Sequence, residues 1–306
     1  MDNLIKSVVA VVVTHNRLEL LKECVFALSN SSELCDVIIV NNASTDGTKE
    51  YLNSVEEQYK SIRFYIYNSD INMNGAGGYN YGIRMASKLD YKYVWLMDDD
   101  CIVQNDSLSE LLYAANKLND NFGFLSSKVI WKDGNICKTN VQRKSVARRI
   151  NDFNTELVNV DFSSFVSCLF KKSDICIVGL PIKEFVIWTD DLEWTRRLTF
   201  NKINPYAKPG YLCNKSVVTH KCANNFGVTI VKDTPDRLER YKFIYRNDVV
   251  CFRREGIRGH LYMFIRNFYH IIRILLFAPD KRLDRIKYLV NGYIEGYSFN
   301  PEIEYA

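Results

Sequence analysis

Residues Tyr93 to Cys101 read YVWLMDDDC, an apolar run that ends in three consecutive aspartates. Adjacent carboxylates repel, and taking even one unpaired charge out of water is costly, so this arrangement calls for a cation. In an extended chain, side chains alternate in direction, so Asp98 and Asp100 are expected on one side and Asp99 on the other. Two carboxylates on one side are hard oxygen donors. They suit Mg2+ or Mn2+ with phosphate oxygens completing the shell, whereas zinc prefers nitrogen and sulfur. His220, in VVTHKC at the end of another apolar run, joins such a site only if the fold brings it beside Asp98 and Asp100. An acidic turn in which Asp99 or Asp100 merely caps is the alternative.

Two further stretches carry residue types suited to chemistry. In NMNGAGGYNYG, Asn72 to Gly82, the glycines Gly75, Gly77 and Gly78 stand at the start of a helical period. They admit close backbone approach, and free N–H groups at a helix start attract anions. The spacing matches neither a Walker A loop nor a G-x-G-x-x-G fingerprint, so tight packing explains it equally well. In WTDDLEW, Trp188 to Trp194, two aspartates and Glu193 crowd a helix start, where the helix dipole keeps carboxylates ionised. Plain capping gives the same pattern, but the flanking tryptophans favour a site. Such a ring can stack on the apolar face of a sugar while a carboxylate beside it takes a hydroxyl proton as general base.

These residues need a frame. Ser7 to Val13, Val37 to Val40, Ile62 to Tyr67 and Tyr91 to Met97 are short apolar runs of the parallel-strand type. Between them, Leu18 to Leu28, Gly47 to Tyr59 and Ala76 to Leu89 carry apolar residues at helical spacing. Strand-helix repetition predicts a right-handed, mostly parallel, Rossmann-like α/β sheet with ligands beyond the strand carboxyl ends, which puts THNR, NNASTDGT and DDD on one edge. Asn135 to Asn159, with QRKSVARR at its centre, reads as a polar, basic excursion across that edge or as a solvated charge run. A strand over Val160 to Phe170 and a helix opened by the WTDDLEW acids follow, and from about Asp233 the chain reads as helical.

At 306 residues, 47% hydrophobic and 25% charged, the chain is long enough for one large domain or two small ones. A formal net charge of +4 is too small to predict a nucleic-acid partner. The nine cysteines form no C-x-x-C pair, and Cys137 stands alone in sequence, so zinc-ribbon and thiol-redox motifs are not expected. Dispersed thiols suit a reducing cytosol. SVVAVVV runs into THNR without a small-residue cleavage site and reads as a buried strand rather than a signal core.

Five stretches, VVVTHNR, IIVNNASTDGT, NMNGAGGYNYG, WLMDDDC and GLPIKEFVIWTDDLEW, occur in the order found in family 2 glycosyltransferases of the GT-A fold, and together they resemble the bacterial branch that transfers galactofuranose or rhamnose. The resemblance implies a catalytic domain over 1–230, divided into a nucleotide-sugar half (1–100) and an acceptor half (101–230), with a helical C-terminal region over 231–306. It implies that Asp98 and Asp100 form the DxD motif holding a divalent cation, Mn2+ or Mg2+, with His220 as a further metal ligand. Asp191 matches the catalytic base. Thr14, Arg17, Asn41, Asn72, Gly75, Gly77 and Gly78 fall with Asp98 and Asp99 in the donor-binding set. Trp188, Asp190 and Glu193 fall on the acceptor side. Where many members carry an acidic pair, this chain has Asn41 and Asn42, which leaves a UDP or a dTDP donor open.

The implied reaction is an inverting single displacement from a nucleotide sugar to a glycan or lipid-linked glycan during cell-surface polysaccharide synthesis. In Ile257 to Ala278, Leu261, Phe264, Ile265, Phe268, Ile271, Ile272 and Leu275 recur at helical spacing among Arg258, Arg266 and Arg273, which argues against a membrane span. Such a helix lies on an anionic membrane, as a peripheral protein on the inner face of the cell membrane would, packs on the domain, or makes a subunit contact in an oligomer. Two other functions use the same features. A sugar nucleotidyltransferase would need a basic, glycine-containing triphosphate loop, and THNRLELL offers one arginine and no glycine. A non-catalytic carbohydrate-binding or assembly protein has no need of both sets of acids.

Overall fold

A computed structural model describes residues 7–33, 35–227 and 229–306. The apolar run Val8–Thr14 forms β1 and pairs in parallel with β2 (Asp36–Asn41) and β4 (Tyr93–Asp98); β3 (Phe64–Asn68) adds outside β2. No polar residue alternates along β1 because both faces are covered. Val8, Ala10 and Val12 pack with Leu21, Val25 and Leu28 of α1 (Leu18–Ser29) and with Leu52 and Val55 of α2 (Thr48–Gln58). Val9 and Val11 pack on the other face with Tyr79 and Ile83 of α3 (Asn74–Ser87).

Beyond this parallel block the sheet changes hand. β5 (Cys101–Val103), α4 (Ser107–Lys117), β6 (Leu125–Trp131), β7 (Leu157–Val160), β8 (Cys168–Lys171) and β9 (Gly210–His220) give the order β3-β2-β1-β4-β8-β6-β9-β5, with β7 on β9. β8 runs antiparallel to β4 and β6, and β5 antiparallel to β9. The strand expected over Val160 to Phe170 is broken in two. Ser167 takes φ +56°, outside any strand conformation, and its hydroxyl bonds to Ser127 at 2.6 Å and accepts from the Trp95 N–H at 2.9 Å. The stretch over 135–159, expected as a loop, holds a 3-10 turn, Lys138–Asn140, bridges from Ile136 to Ile130 and from Arg143 to Arg149 and Phe162, and at its end the start of β7.

Two shorter helices, α5 (Lys172–Val178) and α6 (Asp190–Thr199), precede β9, and three longer ones, α7 (Tyr241–Arg253), α8 (Ile257–Phe277) and α9 (Arg282–Ser298), follow it. The last residues return to α3 and to the segment after α5: Glu304 pairs with Arg84 at 2.9 Å and Lys183 at 2.5 Å. α8 turns Gly259, Met263, Asn267 and Ile274 inward, and most of its apolar stripe is not packed on the domain. Phe264 is 62% and Phe268 59% exposed, with Leu261, Ile265, Leu275 and Leu276 beside them.

The glycines of α3 separate into two kinds. A Cβ on Gly78 would lie 2.5 Å from Cγ1 of Val13, one on Gly82 2.5 Å from Cγ1 of Val11, and one on Gly77 2.8 Å from Cβ of Met73. Gly77 and Gly78, expected to shape a donor pocket, therefore serve close packing, and Gly78 and Gly82 seat the helix on the sheet. Gly75 meets nothing within 4 Å. Gly78→Ala and Gly82→Ala should each lower unfolding free energy by ~1–3 kcal/mol, read as a lower urea midpoint; Gly75→Ala should stay within about 0.5 kcal/mol of wild type.

Candidate active site

The register of the parallel block sets Thr14 opposite Asn41, and Val13 opposite Asp98, so three strand ends share one edge. Asp98 ends β4, and the chain then turns at Asp99 and Asp100 instead of continuing extended. Asp98 and Asp100 do converge, but not through the expected strand alternation. β5 leaves the turn antiparallel to β9 with Cys101 opposite His220, which brings the imidazole to the two carboxylates. Nε2 of His220 lies 3.0 Å from Oδ1 of Asp100 and 3.9 Å from Oδ2 of Asp98. Oδ1 of Asp100 is buried and receives no hydrogen bond, so a carboxylate oxygen and a ring nitrogen face the same point. These three donors fit a hard divalent cation. Asp98, with 38% side-chain exposure against 4% for Asp100, is the side from which an ion reaches them.

Electrostatics reflect the crowding. Burial, reinforced by the charge of Asp100, raises Asp98 above the ordinary carboxylate range, and burial pushes Asp99 up to about 7. Burial acts on Asp100 in the same sense, but the contact with His220 and the charge of Arg17 hold it below that range. Burial favours neutral imidazole at His220, yet Asp100, Cys222 and Asp98 outweigh it and lift the ring to about 10. A cation entering at Nε2 therefore competes with a proton.

The neighbouring donor-set residues mostly hold the turn. The Thr14 hydroxyl donates to Asp99 at 2.7 Å, and the Arg17 guanidinium bridges Asp99 at 3.1 Å and Asp100 at 3.0 Å. Arg17 remains half exposed. The Asn41 amide, placed in the donor-binding set, bonds within the fold: it donates to Asn68 at 2.7 Å and accepts from the Ser44 backbone at 3.1 Å. Asn42 ties the loop ahead of α3 by accepting from Met73 N–H at 2.7 Å. Asn72 stays exposed, its amide 3.2 Å from His15, and with Gly75 forms the open part of this rim.

Across the edge, Asp190 and Asp191 open α6. Burial pushes Asp191 up to about 7, opposed by the Leu192 N–H that it accepts at 2.7 Å and aided by the charge of Asp98. Burial and the neighbouring Asp191 raise Asp190 well above the ordinary range. Arg143, from the basic excursion, acts on Asp191 in the opposite sense. The entry to the helix is conformationally costly: Val186, Trp188 and Thr189 all have φ between +65° and +69°. Asn247 of α7 donates to the carbonyls of Phe185, Ile187 and Trp188, and Thr189 donates to Asp248, which pairs with Arg266 of α8 at 2.6 Å.

Other acceptor-side expectations change. Glu193 is 1% exposed and pairs with Arg197 at 3.0 Å and with Arg254, so its carboxylate is not available to orient acceptor hydroxyls. Trp194 is fully buried against Phe165 and Phe170, and its N–H reaches the Gly179 carbonyl. Trp188 is half-buried against Tyr241, with ring centroids 5.1 Å apart. The sequence reading did not find Tyr79, whose hydroxyl donates to Asp98 at 2.5 Å, Asn140, whose Oδ1 lies 2.8 Å from Nδ1 of His220, or Asn247. Tyr79 stands inside the glycine-rich motif, directly after Gly78; Asn140 and Asn247 carry no local signal.

The family model for glycosyl transferase family 2 matches residues 9–176. The chain belongs to glycosyl transferase family 2. It is similar to the galactofuranosyltransferase GlfT1 of Mycobacterium tuberculosis, at 28% identity over 265 residues, covering 83% of this chain and 84% of that protein. Its fold is similar to that of the mannosyltransferase PcManGT from Pyrobaculum calidifontis, solved with GDP-Man and Mn2+ (TM-score 0.60, 12% identity, 95% of this chain and 87% of that one). GalNAc-T7, solved with UDP, GalNAc and Mn2+, is a second structural neighbour (TM-score 0.62, 14% identity, 95% and 55%). This is the GT-A architecture. Within the family 2 match lie Thr14, Arg17 and the aspartate turn; Asp191 and His220 lie beyond residue 176 and reach the site through α6 and β9.

If His220 binds the cation through Nε2, Asn140 fixes its orientation by accepting from Nδ1–H. Asn140→Ala should weaken Mn2+ binding about 10- to 100-fold by calorimetry, with the melting temperature of the chelated protein close to wild type.

Proposed function

We propose that the protein is a metal-dependent, inverting glycosyltransferase that moves a sugar, galactofuranose first and rhamnose next, from a UDP- or dTDP-linked donor to a glycan or lipid-linked glycan in cell-surface polysaccharide synthesis. The observation that carries this reading is the convergence of Asp98, Asp100 and His220 on one point, with Asp191 near enough to feel the Asp98 charge. The similarity to a galactofuranosyltransferase supports the sugar.

In this reading Asp98, Asp100 and His220 hold Mn2+ or Mg2+. The bound ion would supply positive charge to the diphosphate of the donor. Arg17, half exposed at the same turn, adds a guanidinium for the leaving group, and Thr14 and Asp99 keep that guanidinium in place. Asn72 and Gly75 border the donor. Asp191 removes the proton of the acceptor hydroxyl as its oxygen attacks the anomeric carbon; the carbon–oxygen bond to the diphosphate breaks as the new one forms, and no enzyme-linked sugar is needed. Asp190, beside Asp191 at the start of α6, would orient acceptor hydroxyls, and Trp188 offers a partly exposed ring. The donor half, 1–100, and the acceptor half, 101–230, meet at this edge, with 231–306 bracing the acceptor side.

A membrane-bound acceptor gives α8 a use. Among the described residues no helix is long and apolar enough to cross a membrane, so its outward Phe264, Phe268 and Leu276 face would rest on the surface of an anionic one. The protein should co-sediment with anionic vesicles in a salt-sensitive way; Phe264→Glu with Phe268→Glu should abolish this, and a wild-type protein that stays in the supernatant refutes the membrane role.

Asp191 gives the direct test of the chemistry. A base works only when ionised, so a group raised to about 7 before the cation binds, and eased downward once the cation offsets the Asp98 charge, makes the transfer rate fall as pH drops below neutral and level off above about 7. Asp191→Asn should retain donor binding and lose turnover about 100- to 10,000-fold, with that acid limb gone. Near-normal turnover in Asp191→Asn would show that another group is the base.

A further inference from the structure

His220 presents its two ring nitrogens to two different sets of donors. Nε2 faces the carboxylates of Asp98 and Asp100; Nδ1 faces sulfur. Cys137, isolated in sequence, lies with its Sγ 4.0 Å from Sγ of Cys222 and 3.8 Å from Nδ1 of His220. Oδ1 of Asn140 stands 2.8 Å from Nδ1 and 3.1 Å from Sγ of Cys137. In a tetrahedral zinc site with Zn–S about 2.3 Å and Zn–N about 2.0 Å, neighbouring donor atoms lie roughly 3.5–3.8 Å apart. The sulfur–sulfur and sulfur–nitrogen spacings need to close by only a few tenths of an ångström. Cys137 and His220 are buried, while Cys222 is partly exposed and gives the pocket an opening.

We propose that Cys137, Cys222 and Nδ1 of His220 form a second metal site, for a thiophilic divalent ion of the Zn2+ class, that shares its histidine with the aspartate turn. Two thiolates and one imidazole are a soft donor set that discriminates against Mg2+ and Mn2+, and Asn140 or a water completes the shell. The thiols lose their two protons to solvent as the ion binds. With Nδ1 engaged, a neutral ring carries its proton on Nε2, which lies 3.0 Å from Oδ1 of Asp100, so the carboxylate stands beside the metal-bound histidine. The same proton withdraws the Nε2 lone pair from the aspartate turn. The thiophilic ion and the hard ion thus compete for one imidazole, and the first weakens binding of the second.

The test is a titration of the reduced, chelator-treated full chain with Cd2+, read by thiolate-to-metal charge-transfer absorption. The expected result is a band that saturates at one ion per chain, is lost in Cys137→Ser and in Cys222→Ser, and persists in the exposed-thiol control Cys176→Ser. It should also persist in Asp98→Ala with Asp100→Ala, which separates this site from the carboxylate one. Zn2+ should displace Cd2+, and Mg2+ should not. Because serine variants can fold poorly, the wild-type protein carries an independent readout: Zn2+ should protect Cys137 and Cys222 from alkylation, located by peptide mass, and should weaken Mn2+ binding. Absence of the band in wild type, a band that survives both serine substitutions, no protection of these two thiols, or thiols that only form a disulfide and bind no ion would overturn the proposal.

Discussion

Negative charge packed beside negative charge at the end of a buried parallel strand is the constraint on which the rest of the site depends. Asp98, Asp99 and Asp100 sit where β4 ends, and the charge of Asp98 reaches Asp191 at the start of α6. Burial lifts Asp98, Asp99, Asp190 and Asp191 above the ordinary carboxylate range. Two side chains answer this from within the fold, Arg17 from the start of α1 and His220 from the end of β9. Both lean on Asp100, the one acid of the turn held below its usual range, and leave Asp98 the more exposed partner. An added cation is therefore favoured at Asp98, and it relieves Asp191 at the same time.

Placing Asp191 within reach of that charge has a conformational cost, and the C-terminal helices meet it. Three bulky residues in left-handed conformations precede α6, each costing ~1–3 kcal/mol. Such a segment persists only when its surroundings over-determine it. Asn247 takes three of its carbonyls, Asp248 takes the Thr189 hydroxyl, and Arg266 neutralises Asp248. α7 and α8 in this sense hold the entry to α6 in place. α8 is fastened through Met263, Asn267 and Ile274, and its wider apolar face lies outward.

The parallel block was legible because uninterrupted β-branched runs have few other solutions, and the aspartate triplet because its cost is visible in three adjacent letters. The reason Asp98 and Asp100 meet was not legible. It lies in the turn and in the pairing of Cys101 with His220, a contact between residues far apart in the chain. Asn140 beside His220, and Cys137 beside Cys222, stayed hidden for the same cause. For Glu193 and Trp194 the deciding signal was local: with Asp190 and Arg197 they fall at helical spacing on one face, and that face is buried. Gly77 and Gly78 looked like an anion cradle because close packing and ligand approach both select glycine.

The central claim is that the aspartate turn with His220 needs a divalent cation to hold a nucleoside diphosphate. Calorimetric titration of UDP and dTDP into the wild-type chain, with Mn2+ and then with chelator, tests it without any knowledge of the acceptor. One of the two nucleotides should bind with Mn2+, lose its affinity on chelation, and regain it when Mn2+ or Mg2+ is restored. Binding of equal strength in chelator, or Mn2+ that binds without affecting either nucleotide, would contradict the account.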